Sequence, residues 1–196
     1  MGSKVEKIRS VISESIRVKQ EILNNPELIA RCEEIAEKVA EAFRNDKKVL
    51  FCGNGGSAAD AQHLAAEFSG RFYFDREPLD AEALHVNTSY VTAVGNDYSY
   101  DEIFSRVTKA KGRAGDFIFG ISTSGNSKNV IRAFEVARER GMIVVAMTGE
   151  GGGKMKDHAD YLLNVPSNDT PRIQESHIML GHIICELVEE ALFDRP

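Results

Sequence analysis

The chain has 196 residues, 42% of them hydrophobic and 28% charged, enough for one globular domain with its own core and no need of a staple or metal to fold. A formal net charge of −6 excludes a generally basic surface that tracks nucleic-acid phosphates, so an anionic ligand needs specific donors. Cys32, Cys52 and Cys185 are odd in number, far apart and without C-x-x-C spacing, which points away from a disulfide framework or a thiolate zinc site and toward a reducing cytoplasm.

The opening segment MGSKVEKIRSVISES lacks the apolar core of a secretion signal, and no apolar run nears the roughly 20 residues that span a bilayer. The sequence therefore predicts an unprocessed cytoplasmic chain with no membrane partner. Residues 4–23 place Val5, Ile8, Ile12, Ile16 and Ile22 or Leu23 near helical spacing, and residues 27–44 repeat the pattern with Leu28, Cys32, Ile35, Val39 and Phe43. These amphipathic helices part at Asn24-Asn25-Pro26, where Asn25 can cap the second helix and Pro26 suits its first turn. Their apolar faces predict pairing with the domain or with another chain.

From Lys48 the pattern changes. KVLFCG, EALHV, DFIFGIS, MIVVAMTG and YLLNVP are short apolar runs separated by helical stretches, the signature of a parallel sheet covered on both faces. The expected fold is α/β, a doubly wound sheet. GEGGGKMKDHAD, residues 149–160, reads as a flexible loop, because a strand resumes directly after it. From Arg172 to Leu192 apolar residues cover much of a helix circumference, so this helix is expected to be buried, with a subunit interface as one place for it. The organisation is a single domain over 1–196, with N-terminal helices in 1–46, an α/β core in 47–170 and a C-terminal helix in 171–196.

Two loops follow predicted strands and open predicted helices. Gly53-Asn54-Gly55-Gly56-Ser57-Ala58 satisfies G-x-G-x-x-A, the dinucleotide fingerprint. That fingerprint also wants an acidic residue at the end of the second strand, yet EALHV runs into Asn87-Thr88-Ser89, and Asp75 and Asp80 precede it. The dinucleotide reading is the weaker one. Ser122-Thr123-Ser124-Gly125-Asn126-Ser127 offers hydroxyls and backbone N–H groups at a helix N-terminus, a cradle that takes a phosphate without a lysine. Either loop alone reads as an ordinary capped turn; together, beyond the carboxyl ends of different strands, they can close on one ligand.

His63 and Glu67 stand four apart, on one helix face about one turn from the glycine loop, where both can point at one site instead of making a surface contact. His182 lies in the apolar C-terminal helix, eight residues after Gln174 and on the same broad side. Gln174, Glu175, His177 and His182 are many polar groups for one buried helix, and buried polar groups need partners. His85, His158 and His177 read as ordinarily satisfied histidines.

GNGGSAADAQH, ISTSGNS and RIQE with His182 together resemble the sugar isomerase (SIS) domain family, and within it the bacterial phosphoheptose isomerases, over nearly the whole chain. The resemblance implies a five-stranded parallel sheet, a homotetramer with the terminal helices in its interface, and active sites built between subunits. It implies conversion of D-sedoheptulose 7-phosphate to D-glycero-D-manno-heptose 7-phosphate through an enediol, the first step toward the heptose of lipopolysaccharide core. By matching motif, Asn54, Gly55, Gly56, Ser57, Glu67, Asn96, Asp97 and Gln174 contact substrate, and Ser122, Thr123, Ser124 and Ser127 bind its phosphate. Glu67 and His182 match the acid–base pair, and His63, Glu67, Gln174 and His182 match the ligands of one zinc ion per subunit. The chemistry suits these types: a carboxylate moves a proton between adjacent carbons, an imidazole shuttles protons between the oxygens, and a zinc ion polarises the carbonyl. The alternative within the family is a non-catalytic partner of the replication initiator, whose representatives lack the glutamate and the final histidine that this chain keeps. One departure is Thr170-Pro171 before Arg172, where some relatives carry an acidic residue; Asp169 stands nearby.

Overall fold

The expected break at Asn24-Asn25-Pro26 is where α1 (Lys4–Leu23) ends and α2 (Pro26–Arg44) begins in the computed structural model, which describes residues 3–194. Residues 1, 2, 195 and 196 of the expected domain lie outside the described residues. Asn25 Oδ1 accepts the Leu28 N–H at 3.1 Å and Pro26 fills the first turn, where its missing N–H costs nothing. Ser3 and Glu6 close a reciprocal capping box on α1.

The apolar runs become β1 (Val49–Gly53), β2 (Ala81–Ala83), β3 (Phe117–Ser122), β4 (Ile143–Thr148) and β5 (Tyr161–Asn164). They pair in parallel in the order β2-β1-β3-β4-β5. The EALHV run is strand only through Ala83, since β2 is an edge that pairs with β1 at three positions and then turns at Leu84–His85. Between the strands lie α3 (Gly56–Ser69), α4 (Thr88–Asp97), a 3-10 turn (Tyr100–Glu102), α5 (Ile103–Lys111) and α6 (Lys128–Glu139), and α7 (Thr170–Leu192) follows the last strand.

Alternation along the strands divides the core into two layers. Val49 and Phe51 of β1, with Phe117 and Phe119 of β3, face α2, α3 and α7; Leu50, Cys52 and Ile118 face α5 and α6. Phe51 stacks on Phe119 with ring centroids 5.1 Å apart, and Phe68 of α3 lies 6.2 Å from Phe51. Gly181 lets α7 approach α3 closely: a Cβ there would sit 2.6 Å from both terminal methyls of Leu64. The contact lies one residue from His63 and one from His182. Among the described residues no helix is long and apolar enough to cross a membrane.

The 149–160 segment is more tightly tied than a flexible loop. Gly149 N–H donates to Thr123 O at 3.0 Å, Met155 N–H to Gly125 O at 2.9 Å, and Lys154 N–H to Asn126 Oδ1 at 3.1 Å, while a 3-10 turn (Met155–His158) buries Met155 completely. Its glycines allow the close approach, and its backbone groups find partners in the 122–127 loop.

Candidate active site

The sheet reverses direction of winding between β1 and β3, and an open α/β sheet binds its ligand beyond the strand ends at such a switch point. Both loops singled out in the sequence are there: 53–57 follows β1 and 122–127 follows β3. Gly55 takes a left-handed φ of 57°, and a Cβ on Gly53 would collide with Ser57 O, so the first loop turns as tightly as the motif requires. Asn54 joins the first loop to α6 and to the 100–102 turn. Its Nδ2 donates to Asn129 Oδ1 at 2.9 Å, Asn129 Nδ2 donates back at 2.9 Å, and Tyr100 Oη donates to Asn54 Oδ1 at 3.0 Å.

In the second loop Ser122 Oγ lies 2.8 Å from Ser127 Oγ and 3.4 Å from Ser124 Oγ, and Ser124 Oγ accepts the Asn126 N–H at 3.1 Å. Ser127 occupies the N-cap of α6 without capping it through its side chain, so its hydroxyl, paired with that of Ser122, stands at the positive end of the helix, where an anion is favoured. Gly125 has φ 64° and its Cβ position is occupied by Gly152 O, so no other residue fits there.

Asn96 and Asp97 end α4, exposed, with Asn96 Nδ2 donating to Asp97 Oδ1 at 2.9 Å; Tyr100, three residues on, makes the contact to Asn54. Gln174 stands in the first turns of α7 with its amide against the Gly56 α-carbon, where any Cβ would collide with it.

The acid–base candidates meet further along α3. His63 Nε2 is 3.0 Å from Glu67 Oε1 and 3.0 Å from His182 Nε2. These three donor atoms lie within 4.8 Å of one another, with the His63 side chain half-exposed and Glu67 a quarter exposed. Burial lowers the His182 pKa below the ordinary imidazole value, the neighbouring His63 lowers it further, and Glu67 opposes both. The group stands deeper than the one turn expected: His63 is seven residues and Glu67 eleven residues past Gly56, about two and three turns, or ~10 and ~16 Å along the axis.

The remaining polar residues of α7 have structural partners. His177 is fully buried with Nε2 3.0 Å from Thr148 O, as expected of a core histidine. Glu175 accepts from Ser15 Oγ at 2.7 Å and from Arg172 Nη2 at 2.6 Å, and Arg172 Nη1 donates to Val11 O at 2.9 Å, so these two fasten α1 to α7. Asp169 is the α7 N-cap residue, without a side-chain cap bond. His85 is half-buried with an unpartnered Nδ1, and its pKa falls because of that burial. The residues that sequence reasoning missed are Asn129 and Tyr100. Asn129 follows the loop motif by two positions and is buried to 3% exposure, a placement only the fold reveals.

A family model described as SIS domain matches residues 13–149. The phosphoheptose isomerase of Aneurinibacillus thermoaerophilus is 56% identical over 186 residues, covering 95% of this chain and 94% of that protein. That of Mycobacterium tuberculosis (strain ATCC 25177 / H37Ra) is 55% identical over 183 residues, covering 93% of each. Among solved structures, a phosphoheptose isomerase from Neisseria gonorrhoeae superposes with a TM-score of 0.90 at 48% identity, covering 96% of this chain and 100% of its own. One from Francisella tularensis gives 0.91 at 36% identity with the same coverage. With a family model over most of its length and relatives above half identity across nearly all of it, this chain belongs to the SIS domain family.

Proposed function

We propose that this protein is a phosphoheptose isomerase that interconverts D-sedoheptulose 7-phosphate and D-glycero-D-manno-heptose 7-phosphate. The observation that carries the reading is the meeting of His63, Glu67 and His182 at 3.0 Å spacings, on helices whose sheet also presents a hydroxyl-lined loop at its switch point.

The reaction moves one proton between adjacent carbons and one between the oxygens they carry. Glu67 removes the proton from C1 of the ketose, giving the enediol, and returns it to C2; His182, whose pKa burial and the neighbouring His63 lower, relays the proton between O1 and O2. Ser122, Thr123, Ser124 and Ser127 take the phosphate at the α6 N-terminus, while Asn54, Gly55, Gly56, Ser57, Asn96, Asp97 and Gln174 line the sugar. Because the Asn54 carbonyl oxygen accepts from both Tyr100 and Asn129, this residue meets the sugar as an N–H donor.

The donor set fits a zinc ion. Metal–ligand bonds of 2.0–2.1 Å at tetrahedral angles separate ligand atoms by about 3.3 Å, close to the two 3.0 Å spacings around His63 Nε2. His63, Glu67 and His182 would hold it; Gln174, the fourth ligand the sequence resemblance implies, lies instead with its amide against Gly56, about two turns of α3 before His63. When bound, zinc supplies Lewis-acid polarisation of the substrate carbonyl.

The protein acts as a homotetramer in the cytoplasm, with its active sites completed between subunits. One feature supports this assembly: an exposed apolar row on α1. Incubation with sedoheptulose 7-phosphate should yield the aldose, followed by chromatography; no turnover with or without added zinc overturns the reading.

A further inference from the structure

The segment between α3 and β2, RFYFDREPLD, carries no residue of the proposed reaction, yet its Arg76 forms the most buried ion pair among the described residues, with Glu189 of α7. Arg76 and Glu189 have side chains only 2% and 1% exposed, with Arg76 Nε 2.9 Å from Glu189 Oε1. Glu189 also accepts the Phe72 N–H at 3.0 Å and the Tyr73 N–H at 2.8 Å. Besides Glu77 O, 3.0 Å from Nη1, the remaining Arg76 donors go to the end of α3: Nη2 to Glu67 O at 2.8 Å, and Nη1 to Phe68 O at 2.7 Å and Gly70 O at 3.1 Å. These are carbonyls a helix C-terminus leaves without intrahelical partners, and a cation is favoured there. Burial pushes the Glu189 pKa up, but the Tyr73 and Phe72 N–H groups and Arg76 pull it down further, so the carboxylate stays charged.

The pair touches both helices of the proton-transfer centre. Arg76 bonds the backbone of Glu67 itself. Glu189 follows His182 by seven residues, two turns on the same face of α7, and the Phe72 ring that it anchors packs 5.7 Å from the His182 ring. We propose that Arg76 and Glu189 are positioning residues of the isomerase: the buried pair fixes the end of α3 against α7 and thereby the spacing of Glu67 from His182. A buried ion pair is weak as a source of stability compared with apolar packing, whereas it sets geometry at both of its ends.

The inference rests on the isomerase reading, and its test separates the two. Glu189→Gln keeps the shape and removes the charge; Phe72→Leu loosens the ring on His182 without leaving a buried charge. Measured where circular dichroism shows each variant folded, both should lower kcat, Glu189→Gln by about tenfold or more. KM should stay within about twofold, because the phosphate loop is on β3 and α6 and untouched. The deuterium isotope effect with C1-deuterated substrate should not fall, since proton transfer is the step slowed. Cobalt(II) affinity, read from its visible spectrum without substrate, should weaken in the same order. Wild-type turnover and cobalt binding with both variants unchanged per folded molecule overturn the positioning role alone, and if Glu189→Gln does not fold, Phe72→Leu decides. No turnover but a cobalt affinity that drops in the variants overturns the isomerase reading and keeps the clamp; a wild-type chain that does neither overturns both.

Discussion

Proton transfer between neighbouring carbons needs a base whose removal leaves the binding surface intact, and that property makes Glu67 separable from its surroundings. Glu67→Gln preserves the side-chain volume and an oxygen facing His63, while removing the negative charge and the proton-accepting site. Turnover of sedoheptulose 7-phosphate should fall by about 10²–10⁴-fold with little change in substrate binding, measured by calorimetry on the inactive variant. A rate near wild type would require a different base. His177 answers a different measurement. Burial holds its pKa at about 4, below the ordinary 6.5, despite the hydrogen bond to Thr148 O. As pH falls below 6.5 the unfolded chain takes up this proton before the folded one does, so the stability difference grows against the fold until pH 4, to about 3 kcal/mol. The melting temperature of the wild type should therefore drop between pH 6.5 and 4, and His177→Gln should flatten that part of the curve. An equally steep acid limb in the variant would assign the loss to other groups.

At the level of elements, two glycines set the approach of backbone to backbone. In Gly125 a left-handed φ and the neighbouring Gly152 carbonyl both exclude a side chain, so Gly125→Ala should distort the 122–127 loop and raise KM for the phosphosugar about tenfold or more while the rest of the domain stays folded. Unchanged KM would remove this loop from the phosphate site. In Gly120 of β3, a Cβ would collide with Phe134 and Val130 of α6; Gly120→Val should cost about 1–3 kcal/mol in urea denaturation through overpacking. The strands and the helix boundary at Pro26 were legible because each rests on local signals: unbroken apolar runs, or a proline behind a capping asparagine. α4 and α5 were not delimited in the sequence, since TSYVTAVGND is short, half apolar and carries a glycine, and tertiary packing against α5 and the 100–102 turn rather than periodicity makes it a helix. The loops of the site were legible from glycine and hydroxyl spacing. Asn129, Tyr100 and Arg76 were not, because their roles come from partners 75, 46 and 113 residues away.

For the whole molecule, the parallel order β2-β1-β3-β4-β5 accounts for where ligands gather, but it leaves one surface without a function inside a single chain. Val5, Ile8, Ile12 and Ile16 follow one another at three- and four-residue steps on one face of α1, and each is more than half exposed. Only Val18 and Ile22 of that helix are buried, so α1 is fastened at its C-terminal end while its N-terminal half presents an apolar row to solvent. Leu23, Ile29, Ile183 and Leu187 extend exposed apolar surface beyond its far end, beside the groove between α2 and α7. Contiguous apolar surface of this kind marks an interaction site, and complete burial of each isoleucine contributes about 1.5–3 kcal/mol. In the proposed homotetramer the row is covered by other copies. The double variant Ile8→Asp/Ile12→Asp, which places charges on the row and touches no buried residue, should leave the fold intact by circular dichroism. It should also lower the mass measured by light scattering from four subunits to two or one. Turnover per chain should fall with the mass if active sites are completed between subunits. A tetramer that survives both charges would show that α1 is not the surface that joins the subunits.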